Sequence, residues 1–389
     1  MPKKSRISKD GIMYWSPTKL SLFLECARRD FFNWAQNKNF TTVPLAVGTH
    51  IHKKSSELIL NPLRDKSRYN SAKSYANVIA NDWQRGAIKE GKIRGDIILW
   101  DWEVQKWRER ERKKGSTEEE INRINENTIK YSAKARIKEI ALRTYPIITE
   151  ERPILFDSNT KLGKSVSHNF KFALRGRGFK GEIDEILPGR VIRDFKTGLW
   201  GGIESMLEYN PQPTFYTLAF IYLSAVDPKF RKINEVADEE AKYWLDELNA
   251  GRFPRNHGVI FEYFMLEKKK EFRNGELIEL NIDPKIRITR TEFQYKELCE
   301  KIDEANHRFS MMELTNSYPA SRGWHCKSCF YQEECNKMTK GLENMQMPLF
   351  ATNVYSFTPG ANYQGQEVQK HVQETFSFLE KKVKTKKNK

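Results

Sequence analysis

The chain has 389 residues, 39% of them hydrophobic and 30% charged, which is enough for one large globular domain or two smaller ones. Its 67 lysines and arginines against 51 acidic residues give a formal charge of +16, which favours a nucleic-acid partner, although a solvated surface with a basic tail would give the same balance. The longest apolar run, near residues 217–226, is too short to span a bilayer, and the N-terminus has no apolar signal core, so we expect a soluble intracellular protein. Five cysteines in such a chain argue against a disulfide framework.

The first predicted helix follows Ser16 and Pro17. Serine is a favoured N-cap and proline suits the first helical position, so the apolar periodicity from Leu20 to Trp34 predicts one helix. Cys26 is expected to lie on this helix.

A second helix is predicted to open at Gly48 and to run through Leu60. It begins with two histidines, His50 and His52. Residues two apart on a helix are rotated by about 200°, so these two side chains cannot both face one site. Either of them could equally be a surface or helix-cap histidine.

Residues 64–145 are highly charged and have apolar residues at helical spacing, so we interpret them as an inserted helical region. Four tryptophans lie among its basic residues: Trp83, Trp100, Trp102 and Trp107. They could form a stacking platform for single-stranded DNA or pack between helices, and their setting in helices favours packing. Two strands are predicted to follow, Ile147 to Phe156 and His168 to Leu174.

The central element is a predicted hairpin. Two short runs, residues 181–187 and 190–195, are joined by Pro188-Gly189, a dipeptide typical of turns. The two runs are therefore expected to pair as antiparallel strands. An alternating hairpin with one solvated and one buried face would show the same pattern.

The acidic residues of this hairpin form a candidate metal site. Side chains two apart on a strand share a face, so Glu182 and Asp184 point one way from the first strand, and Asp194 and Lys196 share a face of the second. Carboxylates side by side repel each other unless a hard cation lies between them, and such oxygen ligands suit Mg²⁺ or Mn²⁺. The lysine would lie beside a metal-bound water.

A helix is predicted to open at residues 210–213, and its Gln212 and Tyr216 lie four apart, on one face. A strand at Gly258 to Leu266 and a helix at Thr291 to Met312 follow. Cys299 in this helix has no cysteine at ligand spacing and is interpreted as an ordinary buried thiol.

Cys326, Cys329 and Cys335 follow a C-x2-C-x5-C spacing. Three thiolates so close together in a reducing compartment indicate a bound metal, and the fourth ligand must come from elsewhere in the chain. After Lys340 the composition changes to Asn, Gln, Gly and Thr and ends in lysines. We therefore interpret residues 1–340 as the folded domain and 341–389 as a flexible appendage with a basic tail.

Together these motifs resemble the PD-(D/E)xK nucleases, and especially their RecB-type branch. That branch typically shows G-x-I-D and then D-x-K-T-G, which resembles Asp184 and residues 194–196 here. Its G-x-x-apolar-H pattern selects His52 over His50, and its Q-x-x-x-Y motif is similar to Gln212 and Tyr216. The order of the motifs along residues 14–336 is also that of the family.

The resemblance implies an α/β fold with a mixed central sheet flanked by helices, and hydrolysis of phosphodiester bonds in DNA. It implies that one or two Mg²⁺ or Mn²⁺ ions are held by His52, Asp184, Asp194 and the backbone carbonyl of Phe195. Lys196 would orient or help deprotonate the attacking water. Gln212 and Tyr216 would line the site and hold substrate.

Cys26 with Cys326, Cys329 and Cys335 resembles the iron staple of AddB-like and CRISPR-associated RecB-type nucleases. The resemblance implies a [4Fe–4S] cluster with a structural role, which ties the first helix to the end of the domain. Zinc in the same cage is the alternative.

The expected function is thus a cytoplasmic, nucleoid-associated DNA nuclease, an exonuclease on single-stranded or end-bearing DNA in repair, recombination or replication, with a separate helicase subunit as a further partner. The alternatives are a CRISPR spacer-processing nuclease and a non-catalytic iron–sulfur scaffold that binds DNA. Residues 346–350 resemble the Q-x-x-L-F peptide that docks on the sliding clamp, which implies that Gln346, Leu349 and Phe350 bind that partner. The alternative is a tail that folds back on the nuclease domain.

Overall fold

The computed structural model describes residues 7–8, 10–36, 40–60, 70–93, 95–150, 166–197, 207, 209–273, 276–280, 282–315, 317–321, 323, 326 and 329–343. The chain divides into two compact units, Met1–Tyr331 and Gln332–Lys389. Within the described part, no helix has the length and apolarity needed to cross a membrane.

The described strands are β1 Tyr14–Trp15, β2 Phe40–Thr41, β3 Lys92–Ile93, β4 Asp96–Ile98, β5 Val166–Leu174, β6 Arg177–Leu187, β7 Val191–Lys196, β8 Ile260–Met265, β9 Lys269–Arg273, β10 Glu276–Leu280 and β11 Lys285–Ile288. The described helices are α1 Pro17–Glu25, α2 Ala27–Gln36, α3 Val43–Leu60, α4 Ala72–Trp83, α5 Trp100–Lys114, α6 Glu118–Arg123, α7 Glu126–Glu150, α8 Gln212–Val226, α9 Pro228–Ile233, α10 Asp238–Asn249, α11 Glu292–Thr315 and α12 Gln332–Glu343. A π-helical turn, Gln84–Ile88, extends α4.

The central sheet of the first unit mixes parallel and antiparallel pairs. Its order is β1-β6-β7-β8-β11, and β5 pairs with β6 as well. The β5–β6, β6–β7 and β8–β11 pairs are antiparallel, whereas β1–β6 and β7–β8 are parallel. The fold class predicted from the sequence, a mixed sheet flanked by helices, is therefore confirmed.

Two apolar cores cover the two faces of this sheet. On one face, α1, α8, α10 and α11 pack around large buried side chains such as Phe179, Phe215 and Trp244. On the other face, α3, α4, α5 and α7 pack around Phe195 and Phe264. Because alternate residues of a strand point to opposite faces, β7 and β8 supply side chains to both cores and are buried along almost their whole length.

Residues 72–150 form α4 to α7 together with β3 and β4, and β4 pairs with both β3 and the earlier strand β2 in a small sheet. This small sheet was not anticipated from the sequence. The predicted strand from Ile147 is wrong in its first four residues, because they continue α7, where Ile140, Thr144 and Ile148 keep helical spacing on one buried face. Residues 151–156 lie outside the described residues.

Two helix boundaries differ from the predicted ones. Ser16 caps α1 as predicted and accepts a hydrogen bond from Lys19 N at 3.3 Å, but this helix ends at Glu25. Cys26 is extended, with φ −158° and ψ 101°, so it lies in a break between α1 and α2 and not on one continuous helix. Helix α3 begins at Val43, before Gly48, because the Thr42 hydroxyl accepts a hydrogen bond from Leu45 N at 3.4 Å.

Candidate active site

The predicted hairpin is confirmed, and its two strands separate where the acidic residues lie. Residues 185–187 of β6 pair with 191–193 of β7. Because β5 occupies the other edge of β6, strand β1 must share the β7 edge, where it pairs with Gly178 and Phe179. Within the described part of the chain, residues 180–184 of β6 therefore have no strand partner on this edge. Asp184 fills the gap with its side chain, and its Oδ2 accepts a hydrogen bond from Phe195 N at 3.1 Å.

Strand β7 and helix α8 bring four of the predicted site residues together. Lys196 Nζ lies 2.6 Å from Asp194 Oδ2 and donates a hydrogen bond to Gln212 Oε1 at 2.9 Å. Gln212 Nε2 donates to Asp194 Oδ1 at 2.7 Å and to the Tyr216 hydroxyl oxygen at 3.1 Å. The amide of Gln212 is thus held in one orientation, with its oxygen towards the cation and its nitrogen towards the carboxylate. The predicted common face of Gln212 and Tyr216 is confirmed.

The two histidines of α3 lie in different surroundings, as the helical rotation predicted. His52 Nδ1 lies 3.2 Å from Asp184 Oδ2, and the His52 ring lies 6.2 Å from the ring of Phe195. His50 is buried, with Nε2 hydrogen-bonded to Ile79 O at 3.0 Å and its ring against Trp83. His52 is therefore the histidine that the fold places beside the carboxylates.

Burial and neighbouring charges push the pKa values of the two aspartates apart. Burial raises the pKa of Asp194, and the charge of Asp184 adds to this effect, so the pKa stays raised in spite of Lys196. Burial also acts to raise the pKa of Asp184, but the charges of His52 and Lys196 and two hydrogen bonds outweigh it, so that pKa is lowered. Burial alone would lower the pKa of His52, but the charge and hydrogen bond of Asp184 leave it raised. The site thus combines an ionised Asp184 with an Asp194 that is costly to ionise without a further cation.

The donor set fits a hard divalent cation. Asp194 Oδ2 is buried and accepts no hydrogen bond of regular geometry from the described residues, although Lys196 Nζ is near. The two carboxylates are ligands that suit Mg²⁺ and Mn²⁺, and the imidazole of His52 is a further, softer donor. No three His, Cys, Asp or Glu side chains of the described residues are already arranged as a metal cage. In this structure His52 contacts the carboxylate of Asp184, and Lys196 contacts the carboxylate of Asp194.

Tyr263 is a neighbour of this site that the sequence did not reveal. It lies on β8 directly beside Asp194 in the parallel ladder, and Lys196 Nζ lies 5.4 Å from the centre of its ring. Burial and the charge of Asp194 raise the pKa of Tyr263, as they do for Tyr216. The Tyr263 hydroxyl has no hydrogen-bond partner among the described residues. Strand alternation is the only sequence signal, and it does not tell which β8 residue is the neighbour of Asp194.

Behind the site, ion pairs of the buried residues Arg193 and Glu262 join the strands that carry it. Arg193 Nε lies 2.6 Å from Glu262 Oε1, and Arg287 Nε lies 2.8 Å from Glu262 Oε2. Arg193 also lies 3.8 Å from Glu185. These contacts link β6, β7, β8 and β11, so they fix the register of the strand that presents Asp194 and Lys196. Sequence reasoning missed them, because charged residues on a strand suggest a solvated face.

Three of the four predicted cluster cysteines lie in the first unit. Cys26 is buried, and Cys326 and Cys329 are partly exposed. Burial raises the pKa of Cys329, and the charges of Cys26 and Cys326 act in the same direction. Among the described residues these thiols do not form a group of three that could hold a metal ion. Cys335 lies on α12 in the second unit. Cys299 is a buried thiol on α11, as predicted.

The tryptophans of residues 72–150 serve mainly as packing residues. Trp83 and Trp100 are buried in the core, which confirms the packing interpretation for these two. Trp102 lies edge-on to Phe330, with ring centres 5.3 Å apart. The three predicted clamp-binding residues Gln346, Leu349 and Phe350 lie outside the described residues.

Comparison with known proteins gives one family. The model of the PD-(D/E)XK nuclease superfamily matches residues 14–336, which include the hairpin, His52, Gln212 and the four cysteines. No curated protein and no solved structure matches the chain significantly. The matched segment covers well over half of the chain, and the chain therefore belongs to the PD-(D/E)XK nuclease superfamily.

Proposed function

We propose that the protein is a deoxyribonuclease dependent on Mg²⁺ or Mn²⁺, of the RecB-type branch, acting as an exonuclease on single-stranded or end-bearing DNA in repair, recombination or replication. The observation that carries this proposal is the contact of Asp194 with both Lys196 and Gln212, beside Asp184 and His52. In this arrangement two carboxylates, an imidazole and a lysine lie together, which supports a metal-dependent nuclease. The superfamily match supports the nuclease class.

His52, Asp184, Asp194 and the backbone carbonyl of Phe195 would hold the metal. When bound, such an ion lowers the pKa of its water and neutralises charge on the scissile phosphate. Lys196 orients or helps deprotonate the attacking water, and its ammonium group faces the charge that develops on the phosphate. Gln212 holds Lys196 and Asp194 in fixed positions, because its amide oxygen accepts from Lys196 and its amide nitrogen donates to Asp194. The expected product carries a 5′-phosphate.

A cleft of about 470 Å³ lies next to these residues. Lys196 and Gln212 line it together with Thr18 and Ser21 of α1, and with Tyr209 and Asn210, which precede α8. The volume falls in the range of small-ligand sites, about 300–1,000 Å³. Such a cleft has room for a nucleotide unit of the substrate beside Lys196, which supports a nucleic-acid substrate.

Cys26, Cys326, Cys329 and Cys335 are proposed to hold a [4Fe–4S] cluster with a structural role. The C-x2-C-x5-C spacing of the last three cysteines supports this assignment. Zinc in the same cage is the alternative. A separate helicase subunit and the sliding clamp are proposed as further partners.

The test of the proposed function is cleavage of labelled single-stranded and double-stranded DNA by the purified chain in Mg²⁺, in Mn²⁺ and in EDTA. Lys196→Ala should lower the cleavage rate by about 10²-fold or more and leave DNA binding largely intact. Lys229→Ala, an exposed lysine on α9, is the matched control and should cleave like the parent. If Lys196→Ala cuts as fast as the parent, the assigned site is wrong; DNA binding without any cleavage would instead favour a non-catalytic scaffold.

A further inference from the structure

A second cavity lies away from the catalytic cleft, between helices α3, α5 and α7. Its volume is about 140 Å³. Its walls are mostly apolar: Val43, Val47, Trp107, Ile129 and Ala133. Polar groups line the rest: Glu103, Arg110, Ser132 and Arg136, with Pro44 at the rim. The cavity combines an apolar interior, an aromatic ring and charges of both signs.

Glu103 is the buried polar group of this cavity. The residue is only 3% exposed, and its Oε2 atom has no hydrogen-bond partner among the described residues. A buried carboxylate oxygen without a donor is unfavourable, so the oxygens of buried acidic groups are normally paired. A ligand that brings N–H donors into the cavity would supply the missing partner.

The rim and wall define the rest of the ligand. Arg136 Nε donates to Glu267 Oε1 at 2.5 Å, so its charge is already engaged. Arg110 is exposed at the rim, where its planar guanidinium group suits a phosphate. Trp107 is half-buried in the wall, and an indole ring is a good surface for stacking a nucleobase. Together these groups suit a nucleobase inside the cavity with its phosphate outside, at the rim.

The size of the cavity selects the kind of base. An engineered protein cavity of about 150 Å³ holds one benzene ring, so a volume of this order takes one six-membered ring and not a purine. Of the pyrimidines, cytosine presents an N4 amino donor that a glutamate accepts, whereas thymine presents its O4 acceptor at the same place. We propose that this cavity binds a cytosine base, with Glu103 accepting from N4, Trp107 against the ring and Arg110 at the phosphate.

The cavity is distinct from the catalytic site, although both use α3. Val47 and His52 are five residues apart on this helix, so they lie about 7.5 Å apart along its axis and about 140° apart around it. The base in the cavity is therefore not that of the nucleotide being cleaved. It belongs to a nucleotide farther along the same strand, an assignment that rests on the proposed DNA substrate, or to a free mononucleotide.

The test measures base preference apart from cleavage. Binding of labelled oligo-dC and oligo-dT to the full chain is followed by fluorescence anisotropy in EDTA at pH 8. The parent should bind oligo-dC at least about fivefold more tightly than oligo-dT, the discrimination expected for one base contact. Glu103→Gln keeps the size of the side chain and can turn an N–H towards thymine O4, so it should abolish or reverse the preference. Glu109→Gln, an exposed residue of the same helix, should leave it unchanged.

A parent without preference, or a Glu103→Gln variant that keeps it while circular dichroism shows a folded chain, would overturn the proposal. Competition by free dCMP but not dTMP would show that the cavity also takes mononucleotides, and preference in oligonucleotides without such competition would assign it to the strand alone. Cleavage in Mg²⁺ is measured separately. Intact cleavage without base preference would therefore reject only the proposal that the cavity binds cytosine. Base preference without cleavage would reject only the proposed nuclease activity.

Discussion

Gly48 on α3 lies directly against Thr197, the residue that follows Lys196 at the end of β7. A Cβ atom at position 48 would lie only 2.7 Å from Thr197 Oγ1, closer than packed atoms approach each other. His52 lies four residues after Gly48 and so on nearly the same face of α3. The missing side chain of Gly48 therefore lets the helix approach the sheet closely enough for His52 to reach Asp184.

Gly48→Ala should lower the cleavage rate by about 10- to 100-fold, because a misplacement of about 1 Å at a catalytic group has effects of this size. The change should not weaken the helix, since alanine favours helix formation by about 1 kcal/mol over glycine. Cleavage rate and thermal stability are measured for Gly48→Ala, Thr197→Ala and the double variant. Thr197→Ala removes the clashing oxygen, so the double variant should recover most of the activity that Gly48→Ala loses. Equal activity of Gly48→Ala and the parent would show that the close approach is not needed.

Gln212 is predicted to position Lys196 and Asp194. Gln212→Ala removes the donor to Asp194 Oδ1 and the acceptor for Lys196, so the cleavage rate should fall by about 10- to 100-fold at saturating DNA. Tyr216→Phe removes only the oxygen that accepts from Gln212 Nε2 at 3.1 Å, so its effect should be several-fold smaller. The two rates are compared with the parent in Mg²⁺. If Tyr216→Phe is as damaging as Gln212→Ala, the hydroxyl has a role of its own.

Part of the site could be predicted because it follows local rules. The turn dipeptide and the two-residue period of the strands placed Asp184, Asp194 and Lys196 near one another, and the helical spacing placed Gln212 beside Tyr216. The helical rotation excluded one of the two histidines, but the family pattern was needed to choose His52. The fold class followed from the same resemblance.

The rest depends on contacts between distant parts of the chain, which have no local signature. The gap beside Asp184 exists because β1, far away in sequence, pairs with the start of β6. Tyr263 reaches Asp194 only through the register of β7 and β8. The break at Cys26 interrupts a segment whose apolar periodicity continues through it. Glu103 looks like any acidic residue of an exposed helix until three helices close around it.

The cysteines predict a [4Fe–4S] cluster. The anaerobically purified chain should be brown and contain about four iron and four sulfide per molecule. Cys26→Ser should lose this iron and lower the melting temperature, because it would remove the proposed cluster ligand at the α1–α2 break. Cys299→Ser is the control and should keep the iron, because that thiol is buried on α11. One zinc per chain without sulfide would contradict the cluster assignment.

His257 should make folding stability depend on pH. Its Nδ1 accepts a hydrogen bond from Val259 N at 2.9 Å and its Nε2 lies 2.9 Å from Arg290 O, a pairing that only the neutral ring satisfies. Burial lowers the pKa of His257 below its usual value, and the charge of Arg190 acts in the same direction. Below about pH 6.5 the unfolded chain therefore binds the proton that the folded chain excludes.

This contribution to stability is complete above about pH 6.5 and is lost as the pH falls towards the lowered pKa of the folded state. Urea unfolding midpoints of the parent should decrease over this window, and those of His257→Gln should decrease less. His307→Gln, at an exposed position on α11, should follow the parent. Identical pH profiles of His257→Gln and the parent would show that His257 is not the source of the pH dependence of stability.

The last prediction concerns residues 346–350, and it rests on sequence alone. Gln346-Met347-Pro348-Leu349-Phe350 resembles the short peptide by which bacterial repair and replication proteins dock on the sliding clamp. Recognition of this kind needs a strand that buries Leu349 and Phe350 in an apolar pocket while Gln346 makes polar contacts, and Pro348 limits the entropy lost on binding. A peptide of residues 343–353 should bind the clamp of the host with a Kd of about 1–100 μM by calorimetry. Binding should vanish in the Leu349→Ala plus Phe350→Ala peptide and survive, weakened, in Gln346→Ala, because burial of the two apolar side chains supplies most of the affinity. No heat of binding from the parent peptide would eliminate the clamp as a partner and favour a segment that covers an apolar patch of its own chain.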